Sequence, residues 1–457
     1  MRNTTRVLLP ALMAALAAAP VAAQNDTPGG GTNPADSAAT QADKAKAFGT
    51  AQQITIQNFR PVDRRGLNVF EAPKNDGVPY DGFKLMLGAA FTQQFQTIDH
   101  SNTAQAKVVS GVDQNKLVEI GPGFNNAVAN LYITAQLARG ISVHMTSYLS
   151  SRHHSETWVK DGYLQIDSSP IDVPLLNNVM KYTTIKFGEM ELNYGDSHFR
   201  RTDNGNSVYN PFVGNLIMDP FTTEAGAEVY VRSNGLLGMV GVTAGQLHPS
   251  VTDPTHRNPS FLGKLGYDRQ LSPDLRVRLT GSVYTNPHST EQNLFSGDRA
   301  GSRYYFVMEN TAATENSSLR SGMLNPGMGY ALTSWVINPF VKFNGLELFA
   351  QVEQAHGRAK GEAENRTWKQ YAVDGTWRFL NDALMVSGRY NTVRGPLANT
   401  TTNVGADRWQ FAGGWYITDN ILLKGEYVTQ KYTGYANTSI FNGGKFNGFV
   451  FEGAVAF

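Results

Sequence analysis

The sequence predicts an all-β protein, a membrane-spanning antiparallel barrel of sixteen strands behind a flexible N-terminal segment. Three observations predict it: long runs that are apolar at every second position, short and long connections that alternate along the chain, and an exported chain without cysteine. The composition agrees, since 45 Gly, 24 Phe and 19 Tyr in 457 residues suit long strands better than helical bundles. Lys and Arg number 39 against 38 Asp and Glu, and no dense basic run occurs, so the chain offers no nucleic-acid surface. Zero cysteines exclude disulfides, thiolate metal sites and cysteine nucleophiles. Outside the N-terminus no apolar run is long enough to cross a bilayer as a helix, which leaves a closed barrel as the way to cross one.

The elements follow in order. Residues 1–23 read as a secretory signal peptide, with Arg2 and Arg6 at its positive end, an apolar stretch from Val7 to Ala19 and the small residues Val21-Ala22-Ala23 before a mature start at Gln24. Residues 24–81 read as a periplasmic linker or tether. Up to Thr50 this stretch is Ala, Gly, Gln, Asn, Asp, Ser, Thr and Pro, a linker composition. Residues 51–81 differ, with Ile54-Thr55-Ile56 and a basic cluster of Arg60, Arg64 and Arg65, and a plug entering the barrel base is the alternative there.

Residues 82–457 form the barrel. In its first run Phe83, Leu85, Leu87, Ala89 and Phe91 alternate with Lys84, Met86, Gly88, Ala90 and Thr92. Such runs of about ten to twelve residues match a tilted membrane strand rather than a short globular one. Tight turns at Ala138-Arg139-Gly140, Asn234-Gly235, Leu271 to Asp274, Asn344-Gly345, Asn381-Asp382 and Thr418 to Asn420 alternate with longer polar connections. The runs are 83–97, 127–137, 141–150, 156–167, 182–190, 223–233, 236–246, 261–269, 274–285, 332–343, 346–357, 367–379, 383–393, 407–417, 420–431 and 446–457. Arg303 to Glu309 is assigned to an external loop, because a strand there would put the Asn344-Gly345 turn on the outer side; pairing of 303–309 with another loop segment would raise the count to eighteen. Tyr182, Trp335, Trp377, Trp409, Trp415 and Tyr427 suit interfacial girdles.

In the last run Phe449, Phe451, Gly453, Val455 and Phe457 alternate with Val450, Glu452, Ala454 and Ala456. Here the chain resembles bacterial outer-membrane barrels, and the resemblance implies that the terminal Phe457 is an assembly signal for the barrel assembly machinery. Assigning the polar face of each run to the lumen puts Lys84, Lys186, Arg232, Lys264, Arg276, Arg278, Lys342, Arg378, Arg389, Arg408 and Lys424 inside. Asp161, Glu224, Glu228, Asp268, Glu347, Glu353, Asp374 and Glu426 join them, so a wet lumen with a weak anion preference is expected. The connection 191–222 gathers Asp196, His198, Arg200, Arg201 and Asp203 within eight residues. It resembles the inward-folding third loop of general porins, and Lys186-Phe187-Gly188 resembles the strand-to-loop passage of phosphate-selective porin-like proteins.

The resemblance implies a homotrimeric porin in contact with outer-membrane lipid, with those five residues at a pore constriction, through which small hydrophilic solutes diffuse. The alternative is a structural or adhesive barrel with 98–126 and 286–331 as binding loops. No cofactor fingerprint follows a strand, and no carboxylate-histidine spacing completes a metal site at His153-His154. The Gly, His, Ser, Asn, Gly run of outer-membrane phospholipases is not met either, since Arg200 stands where a serine nucleophile would follow His198. No enzyme activity is expected.

Overall fold

The computed structural model describes residues 54–457 other than 151, 153–155, 249–250, 253, 290–291, 298–302 and 319–321. The expected signal peptide, the 24–53 stretch of the expected linker and the pair His153-His154 lie outside the described residues.

Sixteen antiparallel strands follow one another around a ring: β1 (Lys84–Ser101), β2 (Val128–Ala138), β3 (Ile141–Leu149), β4 (Thr157–Ile166), β5 (Thr183–Glu191), β6 (Thr223–Ser233), β7 (Leu236–Thr243), β8 (Ser260–Gln270), β9 (Leu275–Asn286), β10 (Ala331–Phe343), β11 (Leu346–Arg358), β12 (Arg366–Phe379), β13 (Leu384–Pro396), β14 (Asn403–Tyr416), β15 (Ile421–Thr433) and β16 (Lys445–Ala456). The ring closes where β1 pairs with β16, from Ala90 opposite Ala456 to Ser101 opposite Lys445. Closure leaves no long edge unpaired, the condition for a sheet to survive in lipid. A two-residue strand, Gly123–Phe124, adds to β1 beyond the end of β2, and Val108–Val109 pairs with Val112–Asp113 in the loop before it. Arg303–Glu309 is not a strand, and the barrel has sixteen strands rather than eighteen.

One end of the barrel carries the tight turns and both ends of the strand series; the long connections share the other. At Asn234-Gly235 both residues have positive φ, 52° and 86°, the geometry that twists a two-residue turn to suit a hairpin. The medium connection between β4 and β5 holds a short helix, α1 (Pro174–Met180), on the tight-turn side.

The burial pattern is inverted relative to a water-soluble protein. Outward side chains such as Leu87, Phe187, Val240 and Leu265 are 63–74% exposed. Inward ones such as Lys264, Arg278, Glu347, Arg408 and Glu426 are buried. An apolar belt of this girth is stable against hydrocarbon and a liability in water. Tyr182, Trp335, Trp377, Trp409 and Trp415 are exposed on the same outer face. Tyr427 packs there against Phe449, ring centroids 5.1 Å apart. Among the described residues no helix is long and apolar enough to cross a membrane.

Candidate functional site

The strands set the lumen wall, and three other segments occupy it. The first is the loop from Leu192 to Thr222, which leaves β5, crosses the barrel and returns to β6. Its polar backbone cannot stay unpaired away from water, so it takes hydrogen bonds from wall side chains all round the ring. Gly195 N donates to Ser282 Oγ on β9 (3.0 Å) and Asp196 N to Asn338 Oδ1 on β10 (2.8 Å). Gly205 N donates to Asn130 Oδ1 on β2 (2.9 Å), while Thr92 on β1 donates to Gly205 O (2.6 Å). Val213 N donates to Glu426 on β15 (2.8 Å), Ile217 N to Asn391 on β13 (2.7 Å) and Met218 N to Gln370 on β12 (2.9 Å). Lys424 Nζ donates to the carbonyls of Ser207, Asn210 and Phe212 at 2.8–3.0 Å. At the tip a Cβ on Gly205 would lie 2.6 Å from Ala90 O and 2.7 Å from Ala129 Cα, so glycine is what lets the loop lie against the wall.

The five residues expected at a constriction lie within this loop. They are held by partners and not spread around one open ring. Asp196 meets Lys264 and Arg278, each at 2.8 Å, and its carboxyl stays below the ordinary value: burial pushes it up, but the two cations more than offset that. His198 bridges Glu191 (2.8 Å) and Asn193 (3.0 Å), and burial lowers its pKa despite the carboxylate. Arg200 reaches Glu347 on β11 (3.4 Å) and donates to Asn68. Arg201 makes a two-pronged contact with Asp219 (3.0 and 2.5 Å) over the Phe221 ring, 3.9 Å from its centroid. Asp203 accepts from Lys160 (2.5 Å) and Tyr148. All but the half-buried His198 are buried.

The expected lumen wall residues sort in the same way. Arg278 ties to Asp196, Glu71 and Asp268 within 3.0 Å, and Arg276 to Asp268 (2.7 Å). Arg378 donates to Glu347 (2.9 Å) and Arg389 to Asp374 (2.7 Å). Arg408 donates to Gln430 (2.6 Å) and to Asn215 O of the loop (2.7 Å). These arginines face polar partners and the inserted segments, where the sequence pattern alone suggests open water. Lys186 is the exception: it is half-buried, and its Nζ lies over the rings of Tyr163 and Tyr230, 5.2 and 5.4 Å from the centroids.

The second occupant is the stretch Ile54–Asp81, expected within a tether. It enters the tight-turn mouth, as in the plug alternative. Gln57 exchanges bonds with Gln136 and Gly140 N, both 2.9 Å, and Lys74 reaches Asp167 (3.3 Å). Arg64 bonds Asp419 (2.5 Å). Phe70 lies edge-on to Phe199 and Phe340, and Glu71 meets Lys264 (3.1 Å) and Arg278 (2.8 Å). Although burial alone would raise the Glu71 carboxyl, Lys264 and Arg278 hold it well below the usual range. Arg60 donates to Phe199 O (2.9 Å) and stacks on Tyr209, whose hydroxyl donates to Pro61 O. The two segments therefore brace each other. Glu71, Asn68 and Arg60 carry no motif; the one signal in the sequence was the pair Ile56 and Phe70, apolar residues in a polar stretch, both now buried.

The third occupant comes from the long connection between β9 and β10. Tyr304, Tyr305, Val307 and Met308 are buried inside, so the segment expected to be external folds inward. Tyr304 donates to Glu426. With Val213, Ile217, Met218, Leu294, Phe295, Leu324 and Met328 it builds one apolar cluster against the wall. Cavities remain elsewhere. One of about 190 Å³ lies among Arg60, Tyr163, Lys186, His198, Asp203 and Tyr230. Recesses of about 530 and 550 Å³ lie at the tight-turn mouth, one beside Lys74 and Arg232, the other beside Arg64 and Lys342.

No protein-family model matches the sequence, and no curated protein matches it. Solved structures similar in fold include OmpT, an outer membrane protein of Vibrio cholerae, at 10% identity and a TM-score of 0.49, covering 83% of this chain and 99% of that one. The outer membrane channel DcaP of Acinetobacter baumannii matches at 12% identity and 0.47, covering 84% of this chain and 99% of its own. An anion-selective porin from Comamonas acidovorans matches at 10% and 0.47, covering 82% and 100%. Similarities of this size assign neither solute nor activity. The class defined by the fold itself is a closed, porin-like sixteen-stranded barrel.

Proposed function

We propose that this protein is a constricted channel of the bacterial outer membrane that passes small hydrophilic solutes, with the tight-turn end facing the periplasm and no covalent chemistry. The observation that carries the reading is how the lumen is filled. A ring of sixteen strands is too wide for its own side chains. Here the filling is done by separate segments, and near the tight-turn end they are held by ion pairs and hydrogen bonds with cavities between them. Such contacts exchange with water at small net cost, whereas a packed core does not.

The apolar belt meets outer-membrane lipid, and Phe457 serves the barrel assembly machinery. Homotrimer formation rests on the likeness of 191–222 to the inward loop of general porins and is checked by crosslinking in detergent. Asp196, Arg200, Arg201 and Asp203 fix the shape of the constriction from within the loop. A weak anion preference then rests on Lys186 and Arg60, which face the 190 Å³ cavity.

The apolar cluster near the long-loop end favours a second reading, a closed structural or adhesive barrel. Planar-bilayer recording separates the two. Stable conductance steps, larger after removal of 54–81, support the channel; silence from both the full chain and the truncated one supports the closed barrel.

A further inference from the structure

The cavity beside β4, β5 and β6 is lined by cations and carboxylates that do not all pair with one another. Four carboxylates border it, Glu71, Asp161, Glu191 and Asp203. Glu71 meets Lys264 and Arg278, while Glu191, Asp203 and Asp161 share the one ammonium of Lys160 at 3.0, 2.5 and 3.6 Å, with the His198 ring also against Glu191. Arg201 is taken by Asp219. Among the described residues, two of the lining cations have no carboxylate partner. Arg60 donates to the carbonyls of Gly66 and Phe199 and has no carboxylate within 4.0 Å among the described residues. Lys186 has neither a carboxylate nor a hydrogen-bond acceptor among them. Glu228 stands opposite it in the β5–β6 register, but Glu228 accepts from Asn193 N (3.1 Å) and Tyr230 OH instead.

An ammonium held between two tyrosine faces, with no acceptor of its own, keeps three donors for whatever enters the cavity. We propose that this cavity is a binding subsite for a small organic monocarboxylate, with the Lys186 ammonium as the charged anchor and Arg60 as a second positive group. The proposal rests on the channel reading and names the solute class for it. The aromatic residues lining the cavity, Phe70, Tyr163, Phe199, Tyr209 and Tyr230, suit an apolar body behind the carboxylate better than a bare inorganic anion. A volume of about 190 Å³ is the share of roughly six waters, which limits the solute to a small one. Asp161 Oδ1 has no hydrogen-bond partner, and its charge on the same cavity disfavours a second carboxylate on the solute.

The test is calorimetric titration of the full-length barrel in detergent with benzoate, its neutral isostere benzamide, and inorganic phosphate. Benzoate should bind and benzamide should not. In Lys186→Met benzoate should bind at least about tenfold more weakly, the loss expected for a charge-assisted contact, while Lys186→Arg should keep most of the affinity. A heat-modifiable band on a denaturing gel shows that each variant is folded. Equal benzoate affinity in folded Lys186→Met, no benzoate binding by the wild type, or phosphate binding more tightly than benzoate would overturn the subsite. Conductance of the same preparations answers the other question: steps without benzoate binding leave the channel standing and remove the subsite, and binding without steps does the reverse.

Discussion

The two halves of the lumen are filled by different chemistry. Toward the long loops, Ile217, Met218, Leu294, Phe295, Tyr304 and Leu324 pack as a small hydrophobic core against Trp368, Val393 and Val428 of the wall. Toward the tight turns, Ile54–Asp81 is held by Arg64, Glu71 and Lys74 on charged wall partners, with recesses of several hundred Å³ between. A packed apolar core opens only at the cost of exposing its whole contact area. An ion-paired seam can separate contact by contact, each replaced by water. Any route through this barrel is thus easiest to open at the tight-turn side and most strongly resisted near the long loops.

Shortening the inward loop by removing 205–218 is the most drastic way to break that contrast. It takes away Val213, Ile217 and Met218 together with the carbonyls that bind Lys424. Conductance should rise several-fold and the thermal midpoint should fall, since each large apolar truncation in a core costs about 2–5 kcal/mol. Deleting 54–81 should raise conductance as well, with a smaller drop in midpoint. Equal drops from the two deletions would show that the halves are not energetically distinct.

Within the loop, Arg201→Ala strands Asp219 in a buried site. The expected destabilisation is about 3–5 kcal/mol, read as a shift in the denaturant midpoint. If the midpoint holds and only the reversal potential moves, Arg201 belongs to an ion path and not to the loop's scaffold.

The tight-turn seam should also answer to pH. Glu71 titrates below its ordinary carboxylate value in the folded protein, so its contribution is fully present above that value, near pH 4, and is lost as pH falls through the depressed one. Protease cleavage within 54–81 should therefore stay slow at neutral and mildly acidic pH and speed up only below about pH 4. Glu71→Gln should speed it at neutral pH. Cleavage that accelerates near pH 6 would point to His198 as the controlling group.

How much of this was legible in the sequence follows from the same physics. A wall with an apolar outer face and polar groups on the inner one writes a period of two into every strand, so run by run the strands fall where the alternation puts them, and Arg303–Glu309 is excluded by the parity of turns alone. The occupants of the lumen leave no such mark. Tyr304, Tyr305 and Val307 fold inward, but an aromatic loop reads the same whether it turns inward or outward. Glu71 finds Lys264 and Arg278 across the barrel, a pairing between segments with no shared pattern. The cluster Asp196 to Asp203 was visible as a cluster; its partners Asp219, Glu347 and Lys160 were not, because only the crossing path of the loop brings them together.

The smallest expected effect on final stability is at the chain end, where the comparison meets its control: a residue that belongs to the wall and to neither half of the lumen. Phe457 is 61% exposed on the outer face, and its backbone exchanges two hydrogen bonds with Ala89, at 2.9 and 3.0 Å, at the seam where β16 meets β1. Its side chain lies on the outer apolar face, so removal forfeits at most about 2–3 kcal/mol of apolar burial. The two ladder bonds add about 1 kcal/mol each. Against a closed sheet this is modest, and the purified truncated barrel should keep its heat-modifiable mobility and nearly its full thermal midpoint. The amount reaching the membrane should fall much further, because a recognition element acts before the ring has closed and β1 can hold β16 in place. A normal amount of folded barrel without Phe457 would remove its role as an assembly signal, and a collapse of the midpoint would show instead that the β1–β16 seam depends on this last residue.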